Sequence, residues 1–185
     1  KITTTESVKE LKLYQREIAS IYKKYEPLLS ENTLRIGLIG DSYSLNEPFS
    51  FHFCDIELGQ LGVIADKWRH HKFLPTSFGH LDKQQAKKKS ALYDIYQQPY
   101  GVYTKMELEK LDRYIQRGYD GCLFIAPFAC NPNDALRNLI NSVQETLDFP
   151  ILPLIFDEHT SVVGTQSRVE AFVDMLQKRK RGKYK

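Results

Sequence analysis

Leu34-Arg35-Ile36-Gly37-Leu38-Ile39 runs into Gly40-Asp41-Ser42-Tyr43, and this passage decides the fold. A short, nearly all-apolar run is what a strand covered on both faces requires. The polar turn that follows it marks the strand's carboxyl end. The pattern recurs twice. Gly121-Cys122-Leu123-Phe124-Ile125-Ala126 leads into Pro127-Phe128-Ala129-Cys130-Asn131-Pro132, and Ile151-Leu152-Pro153-Leu154-Ile155-Phe156 leads into Asp157-Glu158-His159-Thr160. In an open parallel sheet the carboxyl ends share one edge, and ligands bind in the crevice outside it. Asp41, Cys130, Asp157, Glu158 and His159 are therefore expected along one rim.

Working outward, helical spacing of Val8, Leu11, Ile18, Ile21, Tyr22 and Tyr25 predicts a helix over Glu6–Leu29, capped by Thr5 or Ser7. Ser30 to Thr33 reads as a polar connector. A helix is expected from about Pro48 to Gln60, with the proline in its first turn, and a short strand over Gly62–Ala65. Trp68 to Phe78 reads as a packed connection that includes the adjacent His70 and His71. Leu81–Gln97 looks helical, with a solvated Lys87-Lys88-Lys89 run, and Pro99-Tyr100-Gly101 breaks it. Thr104–Arg117 is expected to be a helix stopped by Gly118. Another is expected over Asn133–Leu147, capped by Asn131 or Asn133. Pro153 is awkward inside a central strand. Gly164–Lys180 is amphipathic, with Val169, Phe172, Val173 and Leu176 on one face.

This alternation predicts an α/β, Rossmann-like or flavodoxin-like three-layer domain. Its four-stranded parallel sheet should have the order 2-1-3-4, with an N-terminal helix in addition. The expected division is residues 1–30, helix and connector, and residues 31–185, the α/β domain.

At 185 residues and 42% hydrophobic content the chain suffices for one domain with a sizeable core, or one domain with an appended element. No apolar run approaches the about 18 residues of a membrane span, so no membrane role is expected. A net charge of +3 gives a nucleic-acid role little support. The chain starts on Lys1 with no apolar stretch of signal-peptide type, so a fragment of a larger protein is expected. Cysteines 54, 122 and 130 form no C-x-x-C and are odd in number, which argues against a disulfide framework and for a reducing cytoplasm.

Five short motifs then stand in order. They are Gly118-Tyr119-Asp120-Gly121, Pro127-Phe128-Ala129-Cys130-Asn131-Pro132, Phe149-Pro150-Ile151-Leu152, Asp157-Glu158-His159-Thr160, and Gly164-Thr165-Gln166-Ser167-Arg168-Val169-Glu170-Ala171-Phe172-Val173-Asp174. Gly40-Asp41-Ser42-Tyr43 with Glu47-Pro48-Phe49 precedes them. The series resembles the C-terminal region of proteins related to acyl-CoA dehydratase activases, themselves similar to 2-hydroxyacyl-CoA dehydratase subunits. The match covers roughly residues 34–62 and 112–180. The resemblance implies anaerobic radical chemistry on coenzyme A thioesters, with electrons passed through iron–sulfur clusters. It makes Cys130 a cluster ligand and implies a 4Fe–4S cluster in the full-length protein, with none expected in this chain alone. The implied partners are the remaining domains or subunits of an activase–dehydratase system and a coenzyme A thioester. Tyr100-Gly101-Val102-Tyr103 stands where the family often has a Gly-Gly-His-Gly-like segment.

Each candidate has a plainer alternative. Cys130, at the start of a helix where a thiolate is favoured, is otherwise a small residue in a turn. Asp157, Glu158 and His159 offer a base, a metal ligand or hydrogen bonds to a ligand; otherwise Asp157 or Thr160 caps the last helix. Gln166 and Arg168, near that helix's start, suit an anion or make surface ion pairs. Asp41 and Tyr43 belong to the rim without G-x-G-x-x-G or a Walker lysine, which excludes a standard dinucleotide or ATP site. Lys178-Arg179-Lys180-Arg181 is expected to be a solvated helix end. The catalytic residues are left open. An alternative function is a non-catalytic scaffold that has lost the cluster.

Overall fold

Four strands alternate with helices along the described residues, which in this computed structural model are 8–23, 32–67, 92 and 100–183. The chain divides into two compact units, residues 1–33 and 34–185. The first contains helix α1 (Val8–Lys23). The proposed caps Thr5 and Ser7 lie outside the described residues, as do the 24–29 end of that expected helix, the 68–78 connection with His70 and His71, and, apart from Leu92, the expected 81–97 helix with its lysine run.

The second unit runs β1 (Arg35–Gly40), α2 (Ser42–Asn46), a 3-10 turn (Pro48–Phe51), α3 (Cys54–Gln60), β2 (Ile64–Asp66), α4 (Val102–Gln116), β3 (Gly121–Pro127), α5 (Asn131–Leu147), β4 (Ile151–Phe156) and α6 (Val162–Lys183). All strand pairs are parallel, and the order is β2-β1-β3-β4, as the apolar runs predict. Both faces are covered because alternate residues of β3 serve different cores. Leu123 and Ile125 join Val169, Phe172, Val173 and Leu176 of α6 with Phe51 and Leu58. Cys122, Phe124 and Ala126 join Leu108, Leu111 and Tyr114 of α4 with Leu136, Ile140 and Val143 of α5, and Leu92 is buried in the same core. Phe172→Ala should therefore cost about 3–5 kcal/mol. Met175→Ala, on the exposed face of the same helix, should stay within about 0.5 kcal/mol. Urea melts of both variants check this, and equal small losses would mean that α6 is not docked.

Four details correct the sequence-based expectations. The single helix expected from Pro48 is broken, because His52 and Phe53 both adopt left-handed backbone between the 3-10 turn and α3. The His52 ring packs edge-on against Phe156, with centroids 5.1 Å apart, and its Nδ1 lies 3.2 Å from the Thr165 hydroxyl. Second, α5 starts at Asn131 with Cys130 as its cap residue, so neither asparagine is the cap. Third, the start of α6 is capped by Ser161, whose hydroxyl accepts from Gly164 N–H, and not by Asp157 or Thr160.

Fourth, the basic end of α6 is not merely solvated. Arg179 forks onto the Asp148 carboxylate and carbonyl, and Lys180 reaches Asp120 at 3.1 Å. Pro153 is accommodated because β4 is an edge strand. Its carbonyl accepts from Arg168 at 2.6 Å, and the neighbouring outward carbonyl of Ile151 accepts from Gln144 at 2.8 Å.

Candidate functional site

The sheet reverses its winding between β1 and β3: β2 lies to one side of β1, and β4 lies to the far side of β3. The helices leaving these two strands pack on opposite faces of the sheet, and the place between them at the strands' carboxyl ends is the crevice where open parallel sheets take ligands. Two loops form its walls.

The first wall is the turn after β1. Gly40 has φ of 127°, a region open to glycine. A Cβ there would fall on the Ile125 carbonyl oxygen, and that same oxygen accepts from Asp41 N–H at 2.8 Å. The Asp41 carboxylate is occupied locally, accepting from the Ser44 N–H at 2.8 Å and hydroxyl at 3.0 Å and so capping α2. Tyr43 is 72% exposed on this wall.

The second wall is the turn after β3. Phe128 N–H donates to Phe156 O, which ties the turn to the end of β4, and Ala129 takes left-handed backbone to reverse the chain into α5. Cys130 sits half-buried at the helix cap. Asn133, buried in the first turn of α5, donates its amide N–H to the Cys130 sulfur at 3.0 Å. The Asn133 oxygen accepts from the Tyr103 hydroxyl at 2.7 Å.

The floor is polar. Glu107 of α4 is fully buried, accepts from Gly40 N–H at 3.0 Å and pairs with buried Lys110 at 2.6 Å. Burial pushes the Glu107 carboxyl up, and the Lys110 ammonium and the Gly40 N–H pull it back. The Tyr103 hydroxyl is also pushed up, first by burial and then by Glu107, Asp41 and Cys130, the groups within electrostatic reach of it.

Thus Asp41 and Cys130 share the crevice. The turn after β4 stands at the same sheet edge but closes on itself. Asp157 accepts from the Thr160 hydroxyl and from His159 N–H, both of which hold its carboxyl below the usual range. Glu158 and His159 are exposed and 3.7 Å apart. Gln166 is exposed, and Arg168 donates to the Pro153 carbonyl at the edge of β4. Tyr103, Glu107 and Lys110 were not identified from the sequence, and Asn133 was read only as a cap. The available signal was Glu107 itself, a carboxylate on the helical stripe of Thr104, Leu108, Leu111 and Tyr114.

The three thiols differ in kind. Cys54 is buried, donates to Phe51 O at 2.8 Å, and is pushed up to about 12, chiefly by burial. Cys122 lies fully inside the core, and burial pushes it well up. Cys130 alone of the three reaches the crevice. Among the described residues no group of three His, Cys, Asp or Glu side chains is arranged to hold a metal ion. No described helix is long and apolar enough to cross a membrane. Comparison with protein-family models, with curated proteins and with solved structures found no match.

Proposed function

We propose that this chain is a cluster-facing, substrate-associated domain of an acyl-CoA dehydratase or activase system of the 2-hydroxyacyl-CoA dehydratase kind, working in a reducing cytoplasm without oxygen. The observation that carries the reading is the presence of one crevice thiol, Cys130, at a sheet switch point and inside the Pro127–Pro132 motif. A 4Fe–4S cluster takes four thiolates as a rule. With Cys54 and Cys122 directed into the core, the residues fit one ligand of such a cluster, not a whole one. The others come from the remaining domains or subunits of the system. A bound cluster supplies one-electron transfer. This chain presents the Cys130 sulfur, donates an N–H to it from Asn133, and holds the opposite wall by the Asp41 cap and the Gly40–Glu107 bond. A coenzyme A thioester is the substrate of the assembled system.

A second reading, a scaffold without a cluster, is favoured by the exposed apolar residues Tyr43, Phe49, Phe128 and Val163, which stand in the segments after β1, β3 and β4. Such side chains suit a protein partner as well as a substrate.

One experiment separates the two. The natural polypeptide containing this chain, made without oxygen, should be brown and carry iron and sulfide. Cys130→Ser should lose or weaken the cluster absorption with the fold intact. Full iron content and an unchanged spectrum in that variant would leave the scaffold reading as the better one.

A further inference from the structure

We propose that the groove between α3 and α6 docks an amphipathic helix of a partner protein, one that carries lysine or arginine beside its apolar stripe. The proposal stands apart from Cys130 and the cluster, because α3 and α6 cover the opposite face of the sheet from α5.

The two helices share a core, to which α3 gives Leu58 and α6 gives Val169. His52 Nδ1 meets the Thr165 hydroxyl at 3.2 Å, and Glu57 stands within electrostatic reach of Glu170, the same step further along each segment. The helices therefore run side by side in one direction, with a groove between their outer surfaces. The end of the groove nearer the strands' carboxyl edge is apolar. Phe49 is 75% exposed there, and Phe53, Ile56 and Val162 are each about half exposed. The Phe49 and Phe53 rings meet edge to face, with centroids 6.4 Å apart. Ile56 lies one turn along from Phe53, and Val162 lies one turn before Thr165 on α6.

The other end is acidic. Glu170 is exposed. Glu57 is half-buried, and its Oε2 is closed off with no hydrogen-bond partner among the described residues. Burial, and then Glu170, push the Glu57 carboxyl up. Glu47, exposed and hydrogen-bonded to Phe49 N–H, adds charge of the same sign beside the aromatic end. The neighbouring Asp55 and Asp174 are already matched, by Lys67 and Lys178 at 2.6 Å each. An ammonium or guanidinium brought by a partner would supply the counter-charge for Glu57 and Glu170. An anionic lipid surface or a nucleic acid would be repelled at the same place. Four partly open side chains fall short of the about 1,200 Å² that a stable contact between whole domains buries, and suit a single helix laid in a groove.

The test titrates the whole chain into a fluorescently labelled synthetic helix with leucine on one face and lysine on the other, and into its leucine–glutamate counterpart, and reads anisotropy. The lysine peptide should bind saturably, and the glutamate peptide at least about tenfold more weakly. Phe49→Ala and Ile56→Ala should each weaken the lysine peptide about three- to tenfold. Glu170→Lys places a cation in the groove itself and should weaken it at least about tenfold. All three side chains are exposed, and far-UV circular dichroism with the melting temperature establishes that each variant keeps the fold. Cys130→Ser should bind the peptide as the wild type does.

Equal binding of the two peptides would overturn the proposal, as would wild-type affinity for the lysine peptide in the folded Ile56→Ala or Glu170→Lys variant. A concentration-dependent dimer in sedimentation, returned to monomer by Ile56→Ala, would also overturn it, since a second copy of this chain would then fill the groove. Loss of peptide binding in Cys130→Ser would place the peptide at the crevice and overturn the groove as its site.

Discussion

Gly40→Ala should leave the chain unable to reach its native fold, or reduce stability by more than about 4 kcal/mol, beyond the range of ordinary point changes. Three features meet at this residue. Its φ of 127° is a conformation that a residue with a side chain rarely adopts. The added Cβ would fall on the carbonyl oxygen of Ile125, which is backbone of the paired central strand and has no room to retreat. Any shift that relieves the clash also lengthens two hydrogen bonds, Asp41 N–H to Ile125 O at 2.8 Å and Gly40 N–H to Glu107 at 3.0 Å. Soluble yield and urea denaturation read the outcome. A Gly40→Ala protein with wild-type stability would mean that the turn relaxes without cost and that its geometry is not required by the sheet.

Lys110→Met should destabilise by about 3–5 kcal/mol, the range found when one partner of a buried ion pair is removed. Among the described residues Glu107 would then keep the Gly40 N–H alone, for a carboxylate without solvent exposure. The loss should depend on pH with a definite sign. Burial holds the Glu107 carboxyl above its ordinary value in the native chain, and removing the ammonium takes away the main opposing influence. A carboxyl raised on folding contributes stability that is fully present below its unfolded pKa and lost as pH rises through its folded one. The deficit of Lys110→Met should therefore be larger at neutral pH than in mild acid. Lys178→Met, exposed and paired with Asp174 on its own helix, is the control and should change little. Equal melting temperatures for the two variants would remove the Glu107–Lys110 pair from the account of the site's rigidity.

The sheet was legible because its strands are buried on both sides. Nearly all-apolar runs such as Leu34–Ile39 leave few other readings, and their polar sequels mark carboxyl ends. The exact span of β4, Ile151–Phe156, follows from Pro150 before it and Asp157 after it. The break at His52–Phe53 was not legible, since neither residue type announces left-handed backbone. It is held by tertiary contacts, the Phe156 ring and the Thr165 hydroxyl. The site was half legible. Asp41 and Cys130 could be found from their position after strands, whereas Tyr103 and Glu107 come from a helix remote in sequence, where Glu107 shows only as a carboxylate on the stripe of Thr104, Leu108, Leu111 and Tyr114. Asp157, Glu158 and His159 looked equal to Cys130 in sequence, because a turn that satisfies its own polar groups has the same composition as one that faces a ligand.

The treatment of the β4 edge has a consequence for the chain in a crowded solution. A four-stranded open sheet ends in rows of unpaired peptide groups, and such a row templates the addition of a strand from a neighbouring molecule. On β4 the outward row is interrupted: Pro153 has no N–H to give, its carbonyl accepts from Arg168, and that of Ile151 accepts from Gln144. Addition of a neighbouring strand is thereby hindered at this side, and the proline that looked misplaced in a strand is one of the residues that hinders it.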